Sequence, residues 1–332
     1  MEYSKAGVNI DAAASWVSRI KQLAAQTRSD AVLSGVGGFS GLYSMDHLGF
    51  ENLVLASGSD GVGTKVIIAQ MMDKHDTVGI DLVAMNVDDV VTSGATPLFF
   101  LDYIAGGNLT PDLVEQIIQG VVAGCQAAGC TLLGGETAQM PDLYGPGEYD
   151  LAGFCVGAAT KSHIIDGKSI RQGDIVVGLA SSGLHSNGYT LVRKVFREAG
   201  WGLSRYVGQL GRTLGEELLE PTRIYAPLLL KIRDNVCIKG AAHITGGGIV
   251  ENVPRILPPE LKVKFNLGWE VPPVFQVIQE LGNICDKEMY RVFNMGIGMT
   301  AIVAPGDVDK VMALSREAGI GSFVVGEIVG EP

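Results

Sequence analysis

Apolar residues recur at helical intervals in several stretches of the chain. Ala13, Trp16, Val17, Ile20, Leu23 and Ala24 follow Asp11 in this way and predict an N-terminal amphipathic helix. Ile80, Val83, Ala84, Val87, Val90 and Val91 form one stripe, so residues 79–93 read as a second helix, with Asn86 and Asp89 one turn apart. Thr110 as N-cap, Pro111 at the first helical position and Gly129 past the end bracket a third. Between the helices lie short apolar runs of strand type: LVLAS at 53–57, then PLFFLDY, CTLLGGE and YDLAGFCVGAAT.

The polar stretch KSHIIDGKSIRQGD interrupts this alternation, which resumes at DIVVGLA and continues through helices near 188–199, 224–234, 273–281 and 308–318. The boundary is therefore placed near 165–170, giving domains at 1–167 and 168–332. Mixed strands and helices in both halves give two α/β (α+β) domains. At 332 residues the chain is long enough for two cores.

Composition narrows the function. With 25 Lys and Arg against 36 Asp and Glu, the net charge of −11 argues against a nucleic-acid surface. No apolar run reaches the length of a membrane span and the first residues lack a signal peptide's pattern, so no membrane association and a cytoplasmic location are expected. The five cysteines contain no C-x-x-C pair, and buried free thiols are the plain reading.

The 45 glycines fall in clusters that read as ligand-facing loops. In GSDGVGTK, Gly58, Gly63 and Lys65 almost reproduce the phosphate-loop spacing, with Thr64 and Lys65 in reverse order. Asp60 sits inside this loop. By itself it is ordinary turn chemistry, but beside a phosphate it would need a cation in between. NVDD places Asp88 and Asp89 opposite the valine stripe, where carboxylates usually face water, and GGETA puts Glu136 just after a strand. Acidic groups beside glycine turns suit a magnesium ion that shares its ligands with nucleotide phosphates. SSGLHSNGY at 181–189 is open to two readings: an anion-binding helix N-terminus with Ser186 or Asn187 as cap and His185 as donor, or a capped helix with a surface histidine. HITGGGIVENV brings Gly246, Gly247 and Gly248 to another helix start, where phosphate binding is favoured.

Taken together, AGVNIDA, SGSDGVGTK, GIDLVAMNVDDVVTSGATPLFFLDYIA, GGETAQMP, SSGLHSNGYTLVRK, PTRIY, HITGGGIVENVPRILP and FNMGIGM resemble, in order and from about residue 3 to the C-terminus, the phosphoribosylformylglycinamidine cyclo-ligase (aminoimidazole ribonucleotide synthetase) family. Its superfamily includes selenophosphate synthetase, thiamin-phosphate kinase, formylglycinamidine synthetase and a hydrogenase maturation protein. The resemblance implies ATP-dependent closure of formylglycinamidine ribonucleotide to aminoimidazole ribonucleotide, with release of ADP and phosphate. It implies Mg²⁺ on Asp60, Asp89 and Glu136, and Asp89 and His185 as reacting-site groups. It also implies ATP or phosphate contacts from Gly61, Gly63, Thr64, Lys65, Ser186, Asn187, Gly246, Gly247 and Gly248, with the 35–41 loop as a further cradle. The implied assembly is a homodimer in which the N-terminal sheets join into a barrel.

Three alternatives stay open. One is another ATP-dependent kinase or synthetase of the superfamily, although the first loop lacks the cysteine of a selenophosphate synthetase and the chain does not end in a reactive cysteine. Another is a non-catalytic nucleotide-binding protein. The third is a dinucleotide-dependent dehydrogenase, for which GVGGFSG is a poor fingerprint.

Overall fold

The structure, a computed structural model, describes residues 41–44, 52–107 and 109–330. The expected helix at 13–24 and all but the last residue of the 35–41 loop lie outside the described residues.

Two five-stranded sheets organise the chain. The first is built from β1 (Gly41–Ser44), β2 (Leu53–Gly61), β3 (Thr96–Gly106), β4 (Thr131–Gln139) and β5 (Tyr149–Thr160), in the order β1-β2-β5-β3-β4. Only the β3–β4 pair is parallel, because α3 (Pro111–Ala128) supplies the crossover that parallel strands need. Thr110 accepts the Leu113 N–H and Gly129 takes the left-handed conformation at φ 72°, so both ends of α3 close as the sequence predicts. The second sheet contains β6 (Ile175–Ala180), β9 (Gly240–His243), β10 (Leu261–Phe265), β11 (Ile297–Val303) and β12 (Ser322–Gly330), in the order β10-β12-β6-β11-β9 and antiparallel throughout. The chain leaves the first sheet at Thr160 and enters the second at Ile175, and a two-stranded ribbon of β7 (Tyr206–Val207) and β8 (Arg212–Thr213) lies between β6 and β9 in the chain. No described helix is long and apolar enough to cross a membrane.

α2 (Val78–Thr92) is the element that both halves share. It packs on β2 and β5 of the first sheet and on β9 and α6 (Ala226–Arg233) of the second half. Its apolar stripe is as predicted, but the opposite face is not solvated. Asp81, Asn86 and Asp88 are all buried, which corrects the expectation that Asp88 faces water. A helix covered on both sides must satisfy its polar face with protein groups. Against α3 the approach is close enough to demand glycine: a Cβ on Gly79 would strike the Ile117 carbonyl, and one on Gly120 the Asp76 carbonyl.

Shorter elements frame the cleft. A 3₁₀ turn at Gly63–Lys65 follows β2 and leads into α1 (Val66–Met72). In the second half α4 (Tyr189–Glu198) follows β6, and α7 (Gly248–Asn252) follows β9. The short helix α5 (Leu214–Leu218) opens with a Thr213–Glu216 capping box.

Lys65 locks the halves together. Its ammonium donates to Asp81 Oδ1 at 2.8 Å and to the Glu220 carbonyl at 2.6 Å, and both charged side chains are 0% exposed. The same Asp81 oxygen accepts the Thr222 N–H at 2.7 Å and the Thr222 hydroxyl at 2.6 Å. Burial lowers the Lys65 pKa, and the Asp81 charge and hydrogen bond oppose that fall. Removing one partner strands the other charge out of water, so Asp81→Leu should cost about 3–5 kcal/mol in urea unfolding, and Lys65→Met/Asp81→Leu should recover most of the loss. A cost for Asp81→Leu under ~1 kcal/mol would contradict the lock.

Candidate active site

Where the two halves meet, a cleft of about 320 Å³ is lined by two of the glycine-rich segments, Asp60 to Thr64 and Ser186 to Thr190, and by Thr245 at the start of the third. Polar contacts hold these segments in place. The Thr64 and Thr190 hydroxyls share a hydrogen bond of 3.0 Å, and Asn187 Oδ1 accepts the Gly246 N–H at 3.1 Å. Ser186 is tied through its hydroxyl to Thr222 at 3.1 Å. Of the sequence-predicted contacts, Gly61, Gly63, Thr64, Ser186 and Asn187 are therefore brought together with Asp60 at one cleft.

The anion-attracting feature of this cleft is the start of α4. Gly188, not Ser186 or Asn187, is its N-cap, in the left-handed conformation at φ 79°, and no side chain caps the helix. A Cβ at Gly188 would also strike the Phe293 ring, so glycine is required there twice over. Tyr189 and Thr190, the first residues of the helix, line the cleft, so the uncapped helix start and the positive end of its dipole lie in the cleft wall.

Several expected contacts are placed elsewhere. Lys65 does not reach the cleft: its ammonium is spent on Asp81, because the chain turns into the 3₁₀ segment at Gly63 and carries the side chain into the core. Gly247 and Gly248 are buried. They take φ values of 98° and 61°, and a Cβ at Gly248 would collide with the Tyr290 carbonyl, so turn geometry and packing account for them without a ligand. Only Gly246 of the three is exposed. His185 is 1% exposed and sits at φ 60°. Its Nε2 accepts the Ser182 N–H at 3.2 Å, and burial, followed by the charges of His243, Lys65 and Arg223, holds its pKa well below the usual imidazole range. It is a neutral, packed histidine and not a surface one.

The acidic residues divide in the same way. Asp60, at the end of β2, accepts its neighbour Gly61 N–H at 2.7 Å. The crowding of protein around it raises its pKa and the Gly61 hydrogen bond lowers it; the Asp89 carboxylate adds to the rise. Asp89 is bound to His243, Oδ1 to Nδ1, at 2.8 Å. Asp88 accepts the Tyr225 N–H at 2.8 Å, and burial lifts its pKa to about 7. Burial opposes a charge on His243, yet the Asp89 hydrogen bond and the charges of Asp89, Asp88 and Asp60 raise its pKa above the ordinary value. The group that faces these carboxylates is thus the ring of His243, a histidine that the sequence reading passed over as the lead-in to ITGGG.

Glu136 does not join them within the chain. Across the first sheet Asp60, Gly153, Asp102 and Gly135 lie in one row, while Gly61, Ala152, Tyr103 and Glu136 lie in the next. Adjacent rows point to opposite faces. Gly153 faces α2, where its missing Cβ makes room for Asn86, so Asp60 is on the helix side and Glu136 on the open side. β2 and β4 are also three strand spacings apart, roughly 14 Å. Among the described residues no group of three His, Cys, Asp or Glu side chains is placed to hold a metal. Asp60 and Asp89 fit the other common arrangement for magnesium, one or two carboxylates with the remaining ligands from substrate phosphate and water.

Comparison with known proteins agrees with this architecture. Residues 45–159 match the N-terminal domain of AIR synthase related proteins, and residues 171–332 match the C-terminal domain. The phosphoribosylformylglycinamidine cyclo-ligase of Thermoanaerobacter pseudethanolicus is 53% identical, the alignment covering 99% of this chain and 98% of the relative. Thiamine-monophosphate kinase from Stenotrophomonas maltophilia shares the fold at a TM-score of 0.65 and 16% identity, over 93% of this chain and 92% of that one. T. maritima PurL complexed with AMPPCP shares it at 0.56 and 16%, over 84% of this chain and 41% of that one. The fold, its cleft between two mixed α/β halves and the near-complete alignment lead to one statement: this chain belongs to the phosphoribosylformylglycinamidine cyclo-ligase family.

Proposed function

We infer that this chain uses ATP to close the imidazole ring of formylglycinamidine ribonucleotide, giving aminoimidazole ribonucleotide, ADP and phosphate, in purine biosynthesis. The observation that carries this reading is the uncapped start of α4 opening beside Asp60 in a cleft built from both halves. A formyl oxygen is a poor leaving group. Transfer of the γ-phosphoryl group to it lets it depart as phosphate when the amidine nitrogen attacks the same carbon, so the site must hold a triphosphate and the amidine together.

The roles follow from placement. The first N–H groups of α4 and the backbone from Val62 to Thr64 are donors for phosphate oxygens, the Gly61 N–H being taken by Asp60. The Thr64–Thr190 hydrogen bond ties the two segments to each other. Asn187 and exposed Gly246 extend the wall toward phosphate or ribose. Asp60 and Asp89 would hold Mg²⁺, which when bound neutralises the charge on the transferring group. The Lys65, Gly247, Gly248 and His185 contacts expected from sequence are assigned instead to holding the walls of the cleft. We place the enzyme in the cytoplasm, without nucleic-acid or membrane partners.

A homodimer belongs to this reading. The open face of the first sheet carries Phe99, Leu101, Phe154 and Val156, of which Phe154 is 43% exposed, and a contiguous apolar face of this kind calls for a partner. Pairing two copies through their N-terminal sheets, as a barrel, would cover it. Glu136 lies on that face, so any contribution from it would be made across the interface.

Two outcomes are expected. In a coupled assay, ADP release should require formylglycinamidine ribonucleotide, and Asp60→Asn should lower kcat by about 10²–10³-fold with an unchanged unfolding midpoint, since asparagine can still accept the Gly61 N–H. Near-native turnover in that variant would remove Asp60 from the chemistry, and ADP release indifferent to that substrate would remove the assigned reaction. In sedimentation, the native chain should run as a dimer and Phe154→Glu as a monomer; a native monomer would contradict the proposed assembly.

A further inference from the structure

The end of α3 carries a feature that the cleft does not use. The Cys130 N–H donates to the Cys125 carbonyl at 3.0 Å, and the Gly129 N–H to the Gln126 carbonyl at 3.2 Å. With Gly129 left-handed at φ 72°, these are the two bonds of a Schellman turn. Such a turn brings the residue just beyond the helix against one on its last turn, usually as a contact between two apolar side chains. Here both residues are cysteines, so the turn sets one thiol beside the other.

The two thiols are not equivalent. Cys125 is 3% exposed, whereas Cys130 is only half-buried. The neighbouring Cys130 thiol, and then burial, push the Cys125 thiol up. Cys130 is therefore the sulfur that a dissolved oxidant can reach, with the buried Cys125 as its neighbour across the turn. Cys155 lies close by on β5, fully buried, and burial first, with the charges of Cys130 and Asp88, holds its thiol up at about 12.

We propose that Cys125 and Cys130 form a reversible dithiol–disulfide site whose oxidant is a hydroperoxide. The Cys130 thiolate attacks one peroxide oxygen and the O–O bond breaks, leaving Cys130 as a sulfenic acid; the departing hydroxide takes a proton and becomes water. The Cys125 sulfur then attacks the Cys130 sulfur, the S–O bond breaks, and that hydroxide leaves with the Cys125 proton as a second water. Two thiols are oxidised and one hydrogen peroxide is reduced to two waters. The bond would tie the last turn of α3 to the residue just before β4, and thiol reductants would restore the pair.

The test uses the full-length reduced protein treated with hydrogen peroxide, alkylated with iodoacetamide and mapped by peptide mass spectrometry. The segment spanning Cys125 and Cys130 should lose two hydrogens, escape alkylation and recover both thiols with dithiothreitol. Cys237→Ser/Cys285→Ser, which removes the two exposed cysteines, should form the same bond. Cys125→Ser should lose the disulfide and accumulate a Cys130 sulfenic acid that dimedone traps. The proposal is overturned if Cys125 and Cys130 stay alkylatable while Cys237 and Cys285 react, if Cys130 links to Cys155 instead, or if Cys130 proceeds to sulfinic acid with Cys125 still a free thiol. The native-protein mapping decides the matter even where a variant fails to fold.

Discussion

Burying charge on a single helix between two sheets is the constraint on which the rest of this structure depends. A carboxylate taken out of water costs several kcal/mol unless it is met by good partners. Asp81 and Asp88 are both in that position on α2, and their partners come from the second half: Thr222 for Asp81, with Lys65 shared, and the Tyr225 N–H for Asp88. Apolar contact alone would tolerate many relative placements of two sheets. Hydrogen bonds of 2.6–2.8 Å to buried charges tolerate few. The cleft inherits its shape from that restriction, since Ser186 is fastened to the same Thr222 that meets Asp81.

The electrostatics of the site follow from the same arrangement. Three carboxylates from two elements approach a single histidine, which lies at the end of β9 in the other half. The histidine ring holds Asp89, and Asp60 is left at the rim of the cleft. Facing it, α4 presents N–H groups that no side chain consumes. Negative charge on the first half and an uncapped helix start on the second are the two poles between which a magnesium-bound triphosphate would lie.

The regular elements were legible because each carries a local signal. Thr110, Pro111 and Gly129 bracket α3 in the sequence as they do in space, and the valine stripe of α2 marks the helix to within a residue at each end. The glycine clusters also read as ligand-facing loops, and two of them do line the cleft. What the sequence could not yield is long-range pairing. Lys65 looks like a phosphate-loop lysine because its neighbours are glycines, and only the position of Asp81 relative to Thr222 reveals that it is a core cation. Asp88 looks solvated because the first half covers only one side of α2. Glu136 looks like a companion of Asp60 because both follow apolar runs beside glycine, yet strand order and the two-residue period of the sheet put them on opposite faces. His243 carried no signal of its own; a histidine before a glycine run gains meaning only when Asp89 is found 2.8 Å from its ring.

The central claim is that a triphosphate binds between the Asp60–Thr64 segment and the start of α4. A crystal structure with a non-hydrolysable ATP analogue, magnesium and formylglycinamidine ribonucleotide tests it most directly. The account predicts phosphate oxygens on the N–H groups near Thr190 and Gly63, with an ion touching Asp60. Phosphates bound elsewhere, with the α4 N-terminus facing only water, would contradict it.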